Sequence, residues 1–225
     1  MIFENRVDAA RKLAKKLANL RNENPVILAI PRGGVVIGDV IAKELEAKMD
    51  IMVSRKIGAP ENRELAIGAV MHDGSFFPNA DIIDALNVPK KYIEQEIKSE
   101  LKEIERRLMK FRGNTKYEIE NKIVVLVDDG IATGATMFAA IEWVKKQNPK
   151  RLIISIPVGP RATIEKLSKI SEVVVLDVPV FFSAVGEFYN EFEQVEDNLV
   201  IEILRQHGYK PASSPEPRPG PEMGM

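Results

Sequence analysis

Four consecutive apolar residues, Val124-Val125-Leu126-Val127, run straight into Asp128-Asp129-Gly130-Ile131-Ala132-Thr133-Gly134-Ala135-Thr136. A strand with no polar side must be buried on both faces, which calls for a parallel sheet with helices above and below it. The residues after it turn through Gly and Thr into a helix expected to start near Ala135. The same alternation recurs along the chain. Residues 26–30, 51–53, 152–157 and 173–176 read as short buried strands. Helical spacing appears in Val7, Ala10, Leu13, Leu17 and Leu20, with Asn5 as N-cap, and in Val36, Ile37, Val40, Ile41 and Leu45. Further helices are expected over 135–146 and 160–170. Strand alternating with helix argues an α/β fold, a parallel sheet wrapped by helices on both faces. Ligands of such sheets bind beyond the carboxyl ends of the strands, and Arg32, Arg55, Asp128 and Val158 all fall there on this reading.

Two segments depart from the alternation. Residues 58–78 hold Gly58, Pro60, a strand over 65–71 and the turn His72-Asp73-Gly74-Ser75, which reads as a hairpin. Residues 89–111 space Ile93, Ile97, Leu101, Ile104, Leu108 and Phe111 three and four apart on a charged background. That is a long amphipathic helix, packed by one stripe on its own domain or on a second subunit. A helix over 195–206 ends at Gly208, which suits a C-terminal cap. From Pro211 onward the chain is Pro, Ser, Gly and Glu with almost nothing apolar, too little to offset the entropy of ordering. The expected organisation is one domain over 1–208, with the hairpin and long helix inserted at about 57–120, and a disordered Pro-rich tail over 209–225.

The turn after Val127 carries the chemistry. Thr133, Gly134 and Thr136 bring backbone N–H groups, hydroxyls and a helix N-terminus to one place, an anion site suited to a phosphate. Asp128 and Asp129 repel a phosphate and instead accept hydrogen bonds from hydroxyls, as on a sugar. Side by side, the two describe a ribose 5-phosphate. Pro31-Arg32-Gly33-Gly34 follows a buried strand and opens a helix. Its glycines let the backbone approach a ligand and Arg32 adds a guanidinium fork, although the same residues also make an ordinary tight turn. Arg55-Lys56 at the close of the next strand is either another anion contact or two solvated charges. Phe181, Phe182, Phe188 and Tyr189 offer a stacking face or ordinary core. Trp143 reads as core, whereas His72, His207, Glu61, Glu64 and Glu187 read as exposed.

Composition removes several function classes. Lys and Arg number 32 against 33 Asp and Glu, so nothing supports bulk electrostatic binding to nucleic acid. The absence of cysteine excludes disulfides, zinc-thiolate sites and thiol nucleophiles, and two histidines argue against a histidine-rich metal site. No stretch is long and apolar enough to span a bilayer, and the opening Met1-Ile2-Phe3-Glu4-Asn5-Arg6 lacks the apolar core of a signal peptide. The expectation is a cytoplasmic protein without a membrane partner.

The run from Val124 to Thr136 resembles the 5-phosphoribosyl-1-pyrophosphate (PRPP) signature of the type I phosphoribosyltransferases. Ile30-Pro31-Arg32-Gly33-Gly34, Ser54-Arg55-Lys56 and Ala184-Val185-Gly186-Glu187-Phe188-Tyr189 extend the likeness over residues 1–208, to an uncharacterised branch of that family. The resemblance implies a Rossmann-like sheet with a flexible hairpin lid near 57–75 and a small hood. It implies transfer of the phosphoribosyl group from Mg-PRPP to a nitrogen nucleophile, a purine-like nucleobase as in purine salvage, through an oxocarbenium-like transition state. Asp128, Asp129, Arg55 and Lys56 would be catalytic. Ala132, Thr133, Gly134, Ala135 and Thr136 would hold the 5-phosphate, and Arg32, Gly33 and Gly34 the pyrophosphate. Val158, Phe182, Phe188 and Tyr189 would meet the base. Mg2+ would ride in on PRPP, held by its oxygens and waters with no direct protein ligand unless through Asp128, and the protein would be a homodimer. One departure stands out: hypoxanthine-guanine enzymes carry an Asp three residues after the acidic pair, where this chain has Ala132. Adenine-type enzymes share that Ala, which leaves the general base to another carboxylate such as Glu64. The same fold also serves PRPP- or nucleotide-binding regulators and nucleotide-cleaving phosphorylases or hydrolases.

Overall fold

Along the computed structural model, which describes residues 1–211, the elements run α1 (Arg6–Lys16), β1 (Val26–Ala29), α2 (Gly33–Leu45), β2 (Lys48–Ile51), β3 (Ser54–Gly58), β4 (Ala66–Met71), β5 (Phe76–Pro78), α3 (Ala80–Ala85) and α4 (Lys90–Arg112). They continue with β6 (Ile123–Val127), α5 (Ala135–Lys146), β7 (Arg151–Val158), α6 (Arg161–Ser168), β8 (Glu172–Asp177) and α7 (Asp197–Gln206). β1 and β6 are buried along their whole length. Their side chains alternate between two cores, as the pleat requires. Ile27, Ala29, Val125 and Val127 face the side of α1, α2, α4 and α7, while Val26, Leu28, Val124 and Leu126 face that of α5 and α6. All pairings in this five-stranded sheet are parallel, in the order β2-β1-β6-β7-β8. The order reverses between β1 and β6. Such a switch point opens a crevice at the carboxyl ends of the strands.

Helix starts follow local chemistry. Asn5 caps α1 by accepting from the Asp8 N–H at 3.1 Å. The expected continuation to Leu20 is instead a 3-10 turn over Ala18–Glu23. In α2 the buried side carries Val35 and Gly38 with Ile37, Ile41 and Leu45, and Val36 and Val40 are only half-buried. The physical reason is that Gly34 and Gly38, one turn apart, bring that side of the helix closest to β1 and β6.

The largest correction concerns residues 51–58. The expected strand over 51–53 stops at Ile51, and Ser54 begins a separate antiparallel sheet, β3-β4-β5. The hairpin turn falls where expected, with the Met71 N–H bonded to the Ser75 carbonyl at 2.9 Å. This sheet is built into the molecule: Ile57, Ile67 and Val70 join one core, and Ala69 and Met71 the other. Its exposed stretch is the connection at 60–65.

The stripe on α4 packs on its own domain. Ile104, Leu108 and Phe111 are buried, with Ile93, Ile97 and Leu101 against the same core. The C-terminal half of the stripe is thus taken up by the chain's own core, while Ile93, Ile97 and Leu101 are half-buried. Arg112 ends the helix with two 2.7 Å hydrogen bonds to Asp50 of β2, both side chains buried. Tyr209, just past the expected boundary at 208, donates from its hydroxyl to the Met49 carbonyl at 3.1 Å, so the packed chain extends past Gly208. The rest of the expected tail, from 212 on, lies outside the described residues. Neither histidine is exposed as expected. His72 lies against Tyr117 and Trp143, at ring distances of 4.6 and 4.9 Å, and His207 Nε2 is 2.8 Å from Asp39 Oδ1. Among the described residues, no helix is long and apolar enough to cross a membrane.

Candidate active site

Two turns far apart in sequence meet because β1 pairs with β6, Ala29 lying opposite Val127. The Ile30 N–H extends the ladder to the Val127 carbonyl at 3.0 Å. Gly34 then lies so close to the backbone of Val127 and Asp128 that a Cβ there would sit 2.9 Å from two of its atoms. A Cβ on Gly33 would collide with the Asp129 carboxylate. Only glycines allow this approach of the β1–α2 turn to the acidic pair. Past the pair, the Thr163 hydroxyl donates to the Ala132 carbonyl at 2.8 Å and anchors the next turn from α6. Gly134 (φ 81°) is the N-cap of α5 and has no side chain to satisfy the first N–H groups. Ala132, Thr133, Ala135 and Thr136 are exposed around that helix end. An uncapped N-terminus with accessible N–H groups and hydroxyls favours an anion.

The two carboxylates are not equivalent. Asp129 accepts from Arg6 Nε at 2.7 Å, and the Arg6 guanidinium lies 3.9 Å over the Phe192 ring while donating to the Glu193 carbonyl at 2.8 Å. The Tyr189 hydroxyl donates to the Asp129 carbonyl at 2.6 Å. Burial and the adjacent Asp129 charge push that phenol upward. Among the described residues, Asp128 accepts only from the Asp129 N–H, at 2.8 Å. Removal from water, then the neighbouring Asp129 charge, push its carboxyl well above the ordinary range. Asp128 is therefore the carboxyl left to take a hydroxyl proton's hydrogen bond, and Asp129 belongs to an internal ion pair. Sequence reasoning missed Arg6. Its one local signal is a cation at the first position of α1, where the helix dipole disfavours it.

The cations also redistribute. Because Arg55 and Lys56 sit inside β3, their side chains point to opposite faces. Arg55 turns to α4, bonded to Glu100 at 2.6 Å, and does not line the cleft. Lys56 does, sharing a cavity of about 230 Å³ with Pro31, Ser54, Asp128, Thr136 and Arg107 of α4. Glu64 bonds Lys56 at 2.8 Å, which holds the carboxyl below its usual range. Arg32, which follows the cavity-lining Pro31, has its Nη1 3.7 Å from Asp197 and 3.8 Å from Glu196. Thr133 and Ala135 border a wider groove of about 770 Å³ between β4–β5 and α5.

The aromatic candidates prove to be packing. Phe188 and Tyr189 are buried, Phe188 stacked on Phe182 at 5.4 Å and Tyr189 on Phe192 at 4.9 Å, so their faces are occupied. The Val158 side chain is fully buried and its carbonyl accepts from the Ile131 N–H at 3.0 Å. Phe181 is the aromatic left open, 88 % exposed beside Val180.

A family model for the phosphoribosyl transferase domain matches residues 1–191. Two Mycobacterium tuberculosis proteins, from strains CDC 1551 and H37Rv, each bear the name "Putative phosphoribosyl transferase" and are 37% identical over 205 residues. The match covers 90% of this chain and 46% of theirs, so the chain spans about half the length of these relatives. A crystal structure of the protein TT1426 from Thermus thermophilus is similar with a TM-score of 0.79 and 38% identity, over 92% of this chain and 99% of that one. A hypothetical protein of Neisseria gonorrhoeae, solved with bound ppGpp, is similar in fold alone: TM-score 0.50, 13% identity, 89% of this chain and 95% of that one.

Proposed function

The chain belongs to the phosphoribosyl transferase family, and from that premise we propose that it passes the 5-phosphoribosyl group of Mg-PRPP to a nitrogen nucleophile, a purine-like nucleobase, with release of pyrophosphate. The observation that carries this reading is the meeting of Asp128, the uncapped start of α5, the Gly33-Gly34 turn and Lys56 in one cleft at the switch point of the sheet. An N-terminus for a phosphate, a carboxyl for a hydroxyl and a cation for a polyanion match the three parts of PRPP.

The chemistry follows from those parts. Holding the 5-phosphate on the α5 N–H groups fixes the ribose far from the reacting bond, so binding energy orients C1. Asp128 accepts from a ribose hydroxyl and sets negative potential near the carbon that becomes cation-like as the C1–O bond lengthens. Lys56 and Arg32 offset the charge gathering on the departing pyrophosphate. The donor set suits a magnesium ion carried by substrate oxygens: among the described residues no three His, Asp or Glu side chains gather to cage one, and Arg6 occupies Asp129. When bound with PRPP, the ion would further neutralise the pyrophosphate, with Asp128 the carboxyl positioned to touch it.

The test is incubation with Mg-PRPP and a panel of purine and pyrimidine bases, read by pyrophosphate release and nucleotide formation. Base-dependent release supports the reading, release without any base points to a hydrolase, and tight PRPP binding with no turnover points to a regulator. Asp128→Asn should abolish turnover and weaken PRPP binding at least about tenfold, the worth of one hydrogen bond to a charged group. Turnover at the wild-type rate in that variant would refute the assignment.

A further inference from the structure

The reading above gives no role to the inserted helix α4, two of whose residues line the cleft. Of the Arg55-Lys56 pair, Arg55 is tied to Glu100 of α4 and does not line the cavity that Lys56 lines. We propose that Arg107, on α4, takes the place expected of Arg55 and is a pyrophosphate-binding residue of the PRPP site. This inference rests on the transferase reading.

Three observations support it. Arg107 lines the same cavity as Lys56, Asp128 and Thr136, and Phe111, one turn further along α4, lines it too. Residues four apart share a helix face, so that face of α4 forms a wall of the site. The Arg107 Nε donates to Glu103 Oε1 at 2.8 Å, and its terminal nitrogens have no acceptor among the described residues. Glu103 thus orients a guanidinium that still has N–H groups to offer an oxyanion, the geometry at which Arg exceeds Lys. Among the nearby cations, Lys56 is bonded to Glu64 at 2.8 Å and Lys110 to Asp197 at 2.7 Å, whereas Arg32 has Glu196 and Asp197 only at 3.8 and 3.7 Å. Arg107, like Arg32, keeps terminal N–H groups without a hydrogen-bond acceptor among the described residues, and it would add a third cation to Lys56 and Arg32 where the pyrophosphate charge gathers.

Calorimetric titration of the full chain with Mg-pyrophosphate, and separately with ribose 5-phosphate, tests this. Arg107→Ala should weaken Mg-pyrophosphate binding about ten- to a hundredfold and leave ribose 5-phosphate within twofold of wild type, as expected for loss of one charge-assisted hydrogen bond. Arg107→Lys should recover part of the loss. Arg106→Ala, which removes the other partner of Glu103 from a side chain 58% exposed, should bind like wild type. If wild type binds Mg-pyrophosphate and Arg107→Ala binds it equally well, or if the variant loses ribose 5-phosphate to the same extent, the role given to Arg107 is wrong and the transferase reading survives. If wild type binds neither Mg-PRPP nor Mg-pyrophosphate, the transferase reading falls and this inference with it.

Discussion

Arg6→Met is the sharpest test of the site as built. The substitution keeps a long, partly apolar stem and removes only the charge and its hydrogen bonds. Arg6 and Asp129 are 11% and 15% exposed, bonded at 2.7 Å. Deleting one partner of a buried pair costs about 3–5 kcal/mol because the other charge is stranded. Residual exposure places this pair at the low end, about 3 kcal/mol, including roughly 0.5–1 kcal/mol from the cation over Phe192. For a domain of this size each kcal/mol moves Tm by about 2–4 °C, so the expected fall is about 6–12 °C. Urea unfolding followed through Trp143, which is buried, supplies the free energy directly. Asp129→Asn should also destabilise the fold, since it strands Arg6. The double variant should recover much of the loss, with a coupling of about 2 kcal/mol or more. A loss below about 0.5 kcal/mol in Arg6→Met, or strict additivity in the double variant, would show that the pair does not hold the acidic turn. The loss of Arg6 should also push the Asp128 carboxyl still higher, because Arg6 is one of the charges holding it down.

Two further outcomes follow from packing and burial. Gly34→Ala places a methyl 2.9 Å from the Val127 carbonyl oxygen and the Asp128 Cα, which no rotamer change can relieve. It should cost about 1–3 kcal/mol in urea unfolding and abolish PRPP binding, and a variant that binds normally would show that the turn is looser than described. Burial pulls the His72 imidazole below its ordinary value of 6.5, so the unfolded chain takes up a proton that the folded protein resists. Its contribution is therefore complete above that pH and declines as pH drops through it, by up to about 1.4 kcal/mol per pH unit. His72→Phe should flatten the acid side of the stability profile relative to wild type; parallel profiles would place His72 in water.

Much of the architecture was legible locally. Asn5 as a cap, the start of α5 at Ala135 and the buried strand before Asp128 depend on residues within one or two turns of each other. The His72 to Ser75 turn was legible for the same reason. Where the reading failed, the deciding partner was distant. The Arg55-Lys56 pair looks like one patch of charge until β3 joins its own antiparallel sheet, when pleating sends the two side chains to opposite faces. Phe188 and Tyr189 could have formed an open stacking face, and Phe182, Phe192 and Phe3 cover them instead.

The amino-acid order alone determined the alternation of strand and helix, the burial of the central strand and the acid-glycine-threonine turn, because hydrophobic period and turn chemistry act over a few residues. Tertiary structure decided which carboxylate and which cations face the cleft. Asp128 and Asp129 are neighbours in the chain, yet Arg6, some 120 residues away, removes one of them. Arg107 reaches the site only because α4 packs along β3 and Phe111 enters the core. Charge placement of that kind depends on which elements the sheet order and the core bring side by side, and no local pattern encodes it.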